Sequence, residues 1–159
     1  MKRIRRMKNR IARQVRRVGV TDPIAAARRY DYADAFEVRL PEPDPYPPET
    51  WVRAGLEATP GVVQWLVDLL DLGRAPEPSA DILSGFRIVK SDPEVIHLEE
   101  STPLMHTVLV GRRVGPTRRM LTTVLRYERP VLARLIWAIV GMVHRRMARQ
   151  VITSKVSTH

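Results

Sequence analysis

Apolar positions recur at two different periods along this chain. In residues 1–18 (MKRIRRMKNRIARQVRRV), Ile4, Met7, Ile11, Val15 and Val18 lie three or four apart, and nine Lys and Arg fill much of the rest. That pattern predicts a basic amphipathic helix ending at Gly19, after which Asp22 is placed to cap a short turn from Pro23 through Ala27. Asp31 to Leu40 (DYADAFEVRL) predicts a strand. The following PEPDPYPP holds five prolines in eight residues, which excludes helix and central strand. Glu49 to Ala58 predicts a short helix carrying Trp51, Val52 and Leu56. Thr59-Pro60 then caps a second helix running to Leu72, with Val62, Val63, Trp65, Leu66, Leu69 and Leu70 as its apolar stripe and Gly73 as its stop.

From Gly85 the period becomes two. Phe86 and Ile88 mark one strand, Ser91-Asp92-Pro93 a turn, and Val95 to Glu99 a returning strand. Leu104 to Val110 and Met120 to Tyr127 predict two more, joined by GRRVGPTRR, whose Gly and Pro suit an exposed hairpin tip carrying Arg112, Arg113, Arg118 and Arg119. Pro130 opens a long helix to about Ile152, with Leu132, Leu135, Ile136, Ile139, Val140, Val143 and Met147 at helical spacing and Arg134, Arg145, Arg146 and Arg149 on a polar side. Strand, two helices, at least four strands and a long helix define an α+β chain.

Charge alters this picture in one respect. The 159 residues contain 27 Lys and Arg against 17 Asp and Glu, a formal net charge of +10. Residues 30–159 contain 16 of each, so the whole excess belongs to residues 1–29. The sequence therefore predicts two parts, a basic N-terminal arm over 1–29 and a single neutral domain over 30–159. No apolar segment follows the basic start as a signal peptide requires, and the longest apolar run, Leu135 to Val143, is far short of a membrane span. A soluble, cytoplasmic protein is expected.

Composition narrows the chemistry. With no Cys there is no thiol nucleophile and no cysteine metal site. The four histidines, His97, His106, His144 and His159, show no metal-ligand spacing, although His97 and His106 can be cross-strand neighbours. Ser84-Gly85 lacks the rest of a nucleophile elbow, and Gly111 to Gly115 fits neither phosphate-binding pattern. Glu99 and Glu128 are carboxylates open to acid–base work, but Glu128 lies between Arg126 and Arg129, where an ion pair is the ordinary role. No metal or cofactor is expected, and no catalytic residue stands out.

The element order, with the stretches DYADAFEVRLP, WVRAGLEATPGVVQWLVDLL, GFRIVKSDPEVIHLEES and TVLRYERPVLARLIWAIVGMVHRRMARQVI, resembles the START-like (SRPBCC, Bet v 1-like) helix-grip superfamily. Within that superfamily it is most similar to the bacterial family called domain of unknown function 2867. The likeness covers residues 30–152 and lies in apolar positions, which bear on fold more than on activity. It implies a curved antiparallel sheet wrapped around a long C-terminal helix, two short helices after the first strand, and a cavity between sheet and helix for a small apolar or amphipathic ligand. A turn reading SDPEV stands where some plant members carry a glycine-rich loop, so no nucleotide role is carried over. Candidate cavity residues are Trp51, Trp65, Phe86, Trp137 and Val140 as apolar walls and His97, His106, Thr107 and Thr123 as polar handles. A cyclase- or hydrolase-like enzyme using that cavity is the alternative.

The arm supports a separate expectation, association with an anionic membrane surface through Arg3, Arg6, Lys8, Arg10, Arg13, Arg16 and Arg17, joined by Arg112 and Arg113 of the hairpin. Nucleic acid is the weaker partner, because the arm offers no aromatic residue to stack on bases and no helix-turn-helix follows it.

Overall fold

The computed structural model describes residues 14–58 and 79–155. Ten elements follow in order: β1 (Arg16–Val18), α1 (Pro23–Ala26), β2 (Tyr32–Arg39), α2 (Pro48–Glu57), β3 (Ile82–Leu83), β4 (Phe86–Ser91), β5 (Val95–Ser101), β6 (Met105–Arg113), β7 (Arg118–Tyr127) and α3 (Pro130–Ile152). The strands form one seven-stranded sheet, β1-β2-β7-β6-β5-β4-β3, in which every neighbouring pair is antiparallel. With α3 packed on one face, this is the α+β helix-grip arrangement. The helix expected over 60–72, Trp65 within it, and Arg3, Arg6, Lys8, Arg10 and Arg13 lie outside the described residues.

Two sequence expectations change. Residues 16–18 are a strand, paired with β2 so that Arg16 faces Glu37 and Val18 faces Ala35. A three-to-four spacing of Val15 and Val18 fits a helix, but both are β-branched and the edge of β2 presents unpaired backbone groups, so the ladder prevails. Nor do residues 14–29 stand apart from the domain. Asp22 caps α1 by accepting from the Ile24 amide at 2.9 Å and also accepts from the Arg112 guanidinium, while Ala25 is wholly buried. The packed unit thus begins near Val15 rather than at residue 30.

Alternation along the strands sorts side chains onto two faces. On the helix-bearing face, Phe36, Val38, Ile96, Leu98, Leu109 and Leu121 form the main core with Trp51 and Val52 of α2 and Ala148, Val151 and Ile152 of α3. On the outer face, Val95, Val108, Val110 and Val124 form a smaller core beneath Val20, Ile24 and Ala25. Two glycines permit close approach at the main core. A Cβ on Gly55 would stand 2.5 Å from the Val151 Cα, and one on Gly111 would stand 2.7 Å from Val52 Cγ2.

Arg119 corrects the expectation of a wholly exposed basic hairpin tip. The tip proper is residues 114–117, and Arg119 is fully buried. Its guanidinium donates to both Asp44 carboxylate oxygens, the Nη2 bond at 2.8 Å, and to the carbonyls of Ile152, Ser154 and Lys155. It also lies 5.2 Å from the Trp51 ring centroid. Asp44 arrives there because its proline-rich segment runs beside the hairpin, with the Asp44 amide donating to Pro116 O at 2.8 Å and the Leu40 amide to Thr117 O at 2.7 Å.

Removing one partner of this pair leaves a buried charge without compensation. Arg119→Met is expected to cost about 3–5 kcal/mol in urea unfolding. Gly55→Ala, which must push α2 off α3, is expected to cost about 1–3 kcal/mol in the same measurement.

Candidate functional site

Toward its N-terminal half, α3 places a polar cluster against the sheet instead of a continuous apolar core. Ala133, Trp137, Gly141, His144 and Ala148 recur at steps of three and four and so share the inward face of the helix. Trp137 stacks between Tyr32 and His144, each ring centroid 4.9 Å away. Gly141 leaves room for the indole, since a Cβ there would lie 3.4 Å from Trp137 Nε1 and 3.5 Å from Cε2.

Below these rings, β2 supplies Tyr32 and Asp34, which share a face with Phe36 and Val38. The Tyr32 hydroxyl donates to Asp34 Oδ2 at 2.7 Å. His144 Nε2 is 3.4 Å from that same oxygen, within ion-pair reach but not aligned as a hydrogen bond. Thr123 of β7 stands directly opposite Asp34. Four buried atoms of this group have no hydrogen-bond partner: Asp34 Oδ1, Thr123 Oγ1, Trp137 Nε1 and His144 Nε2.

Burial works to raise the Asp34 carboxyl pKa, but His144, the Tyr32 hydroxyl and the charge of Arg17 together hold it below the ordinary carboxylate value. The same burial, reinforced by the neighbouring Asp34, pushes the Tyr32 phenol up. Farther along the same face, Glu100 of β5 stands opposite Thr107 of β6, and burial raises its carboxyl. The helix-bearing face thus carries an ionised carboxylate beside a histidine and, three strands away, a carboxyl that holds its proton more readily.

On the outer face a second group surrounds Glu99. Arg28 donates to it at 2.6 Å, His97 Nε2 lies at 2.9 Å and His106 Nε2 at 3.7 Å. His106 Nδ1 also lies 2.7 Å from Ser101 Oγ. Burial lowers the His97 pKa despite Glu99 beside it. Nearby, Arg28, Arg29, His106, Val108, Val124 and Arg126 line a cavity of about 290 Å³. Two of its arginines already face acids, Arg28 with Glu99 and Arg126 with Glu128 at 2.7 Å, so its attraction for an anion is small. Among the described residues no group of three His, Asp or Glu side chains is arranged to hold a metal ion.

The residues singled out in the sequence are divided between these places. Thr123 stands opposite Asp34 and Trp137 lies against Tyr32 and His144, Thr107 shares the same face of the sheet, and Val140 is half-buried on α3. Phe86 packs at the margin of the main core, whereas Trp51 is fully buried inside it under Arg119, as structural packing. His97 and His106 share one face of the sheet but are not cross-strand partners, since His97 faces Val110 and His106 faces Ser101, and that face is the outer one, away from α3. Of the basic candidates, Arg16 pairs with Glu37 at 3.2 Å and Arg17 is exposed. Arg112 is bound to Asp22, and Arg113 donates to Tyr46 O at 2.7 Å.

Tyr32, Asp34 and His144 escaped the sequence survey. Their signal was present in two forms. Tyr32 and Asp34 interrupt the otherwise apolar even-numbered face of β2, and His144 follows Trp137 by seven residues, two turns along one helix face. No family model, curated protein or solved structure matches this chain.

Both perturbed groups predict pH dependence. Because Asp34 has a lowered folded pKa, its contribution to stability is present above the unfolded carboxylate value of 3.8 and lost as pH falls through the folded value. Asp34→Asn should remove that acid component from denaturation curves. His97 is also lowered when folded, so the native state binds fewer protons than the unfolded chain. Its contribution is complete above the unfolded value of 6.5 and declines as pH falls toward the folded one. Chemical denaturation between neutral and mildly acidic pH should show a shallower decline for His97→Asn than for the wild type.

Proposed function

We propose that this chain is a START-like helix-grip protein, akin to the family called domain of unknown function 2867, that binds a small amphipathic ligand between the helix-bearing face of its sheet and α3. The ligand's apolar body lies along the aromatic and aliphatic walls, and its hydroxyl or carbonyl oxygen lies at Asp34, Thr123, Trp137 and His144. The observation that carries this reading is that four buried polar atoms on α3 and the sheet face it covers have no partner. Buried polar groups in native proteins are nearly always paired with protein, water or ligand. Asp34 Oδ1 can only accept and Trp137 Nε1 can only donate, and a ligand hydroxyl does both. A cytoplasmic location is part of the same proposal.

The side-chain chemistry also favours a second reading. Asp34 with His144 and Tyr32 can hold and pass a proton from a bound hydroxyl, the work of a cyclase- or hydrolase-like enzyme. That reading requires a turnover whose pH profile changes with Asp34→Asn. Simple binding does not.

The test uses the full chain and two probes, 1-decanol and a substituted phenol, followed by NMR at the indole N–H groups. The Trp137 signal, assigned with Trp137→Phe, is expected to move far more than those of Trp51 and Trp65. Thr123→Val should weaken probe binding by about fivefold to tenfold, as the loss of one hydrogen bond predicts. Gly141→Leu, which fills the space beside the indole, should abolish it. Native mass spectrometry of protein from its own cells should then show a small-molecule adduct on the wild type and none on Gly141→Leu. No adduct, together with an unmoved Trp137 signal for both probes, overturns the proposal.

A further inference from the structure

The outward side of α3 differs from an ordinary solvent-facing helix surface. Val131, Leu132, Leu135, Ile139 and Met142 are 44–78% exposed. They fall on one stripe of roughly 16 Å, as the helical rise dictates. A sheet-packing helix normally turns polar residues outward, so a run of large apolar side chains there marks an interaction surface. What borders the stripe identifies its partner. The 23 residues of α3 include no Asp or Glu, and exposed Arg134, Arg146 and Arg149 lie beside or along the same stripe. No described helix is long and apolar enough to cross a membrane.

We propose that this face of α3 lies on an anionic lipid surface, with Leu132, Leu135, Ile139 and Met142 inserted at the headgroup boundary and Arg134 and Arg146 against the phosphates. Charge decides between a bilayer and a second copy of the chain. Pairing two such helices in either direction brings arginine toward arginine, with no acid on either helix to offset it. An anionic bilayer accepts both the apolar stripe and its basic border. The proposal is independent of the ligand site, which occupies the opposite face of the same helix.

The test is co-sedimentation of the full chain with vesicles of equal phosphatidylglycerol and phosphatidylcholine, and with phosphatidylcholine alone, at low salt. Wild type is expected on the anionic vesicles and largely absent from the neutral ones. Leu135→Glu/Ile139→Glu, which retains every basic residue, should lower anionic-vesicle affinity by about tenfold or more, as expected for a lost apolar insertion. Arg134→Gln/Arg146→Gln should weaken binding and flatten its salt dependence. Unchanged binding by the Glu variant overturns the proposal, because another basic surface is then responsible. Absence of vesicle binding by the wild type overturns it equally. So does a wild-type dimer in light scattering that the Glu variant converts to a monomer, since the occupant is then a second copy. A steep fall in melting temperature for the Glu variant also overturns it, by showing that the face is covered within the monomer.

Discussion

The guanidinium of Arg119 is the point on which the three layers of this fold converge. It reaches from β7 to Asp44 in the proline-rich segment, to the carbonyls of Ile152, Ser154 and Lys155 at the end of α3, and to the ring of Trp51 in α2. Each of its five N–H donors has an acceptor, which is what permits a full charge to be buried at all. Just past the helix, Lys155 takes a left-handed φ of 51°, a conformation uncommon outside glycine, where the chain turns at the guanidinium. The C-terminal half of α3 is thereby tied to sheet, loop and α2 at once. Farther toward the N-terminus of α3, Trp137 meets Tyr32 of β2, and the candidate site lies there.

Most of the elements were legible because their punctuation is chemical. Pro130 stands at the first helical position of α3, and Asp22 caps α1 as its place before Pro23 suggests, whereas Pro48, the last residue of the proline-rich run, opens α2 one residue before the expected start. Strand β1 was not legible, because valines three apart follow the helical period and fall on opposite faces of a strand, and only the open edge of β2 selects the strand. The facing of the strands was hidden for a related reason. Met120 to Tyr127 presents two faces of nearly equal polarity, and the pairing of Asp34 with Thr123 and of Ala35 with Thr122 is needed to send Thr123 inward and Thr122 outward. His97 and His106 show the consequence. Neither their partners across the strands nor their side of the sheet followed from sequence. Trp137 and Thr123 could be named as candidates, while the carboxylate and histidine that join them depend on contacts between residues roughly a hundred positions apart.

Charge follows the same logic. Assigning the whole excess to residues 1–29 treats that segment as an appendage, yet its described basic residues are coupled to the body. Arg16 meets Glu37, Arg28 meets Glu99, and in return Asp22 of the same segment holds Arg112. The Arg16 and Arg28 pairs are largely exposed on the arginine side and contribute about 0–1 kcal/mol each, so they orient the segment more than they stabilise it, whereas Asp22 is buried. Its place in the fold comes instead from the ladder to β2 and from the burial of Ala25 over the outer valines.

The fold itself supplies the standard against which the cluster beneath α3 is to be judged. Where this chain uses buried polarity for architecture, at Arg119, no donor is left over. Around the middle of α3, Asp34, Thr123, Trp137 and His144 each keep a buried polar atom without a partner. A buried group lacking its hydrogen bond costs about 1–3 kcal/mol, so leucine or phenylalanine at these positions would make a more stable interface with the helix. The Arg119 guanidinium is complete, although Arg113 Nε on the neighbouring strand is not, and Asp34, Thr123, Trp137 and His144 each keep an open atom, the contrast on which the proposed ligand site rests.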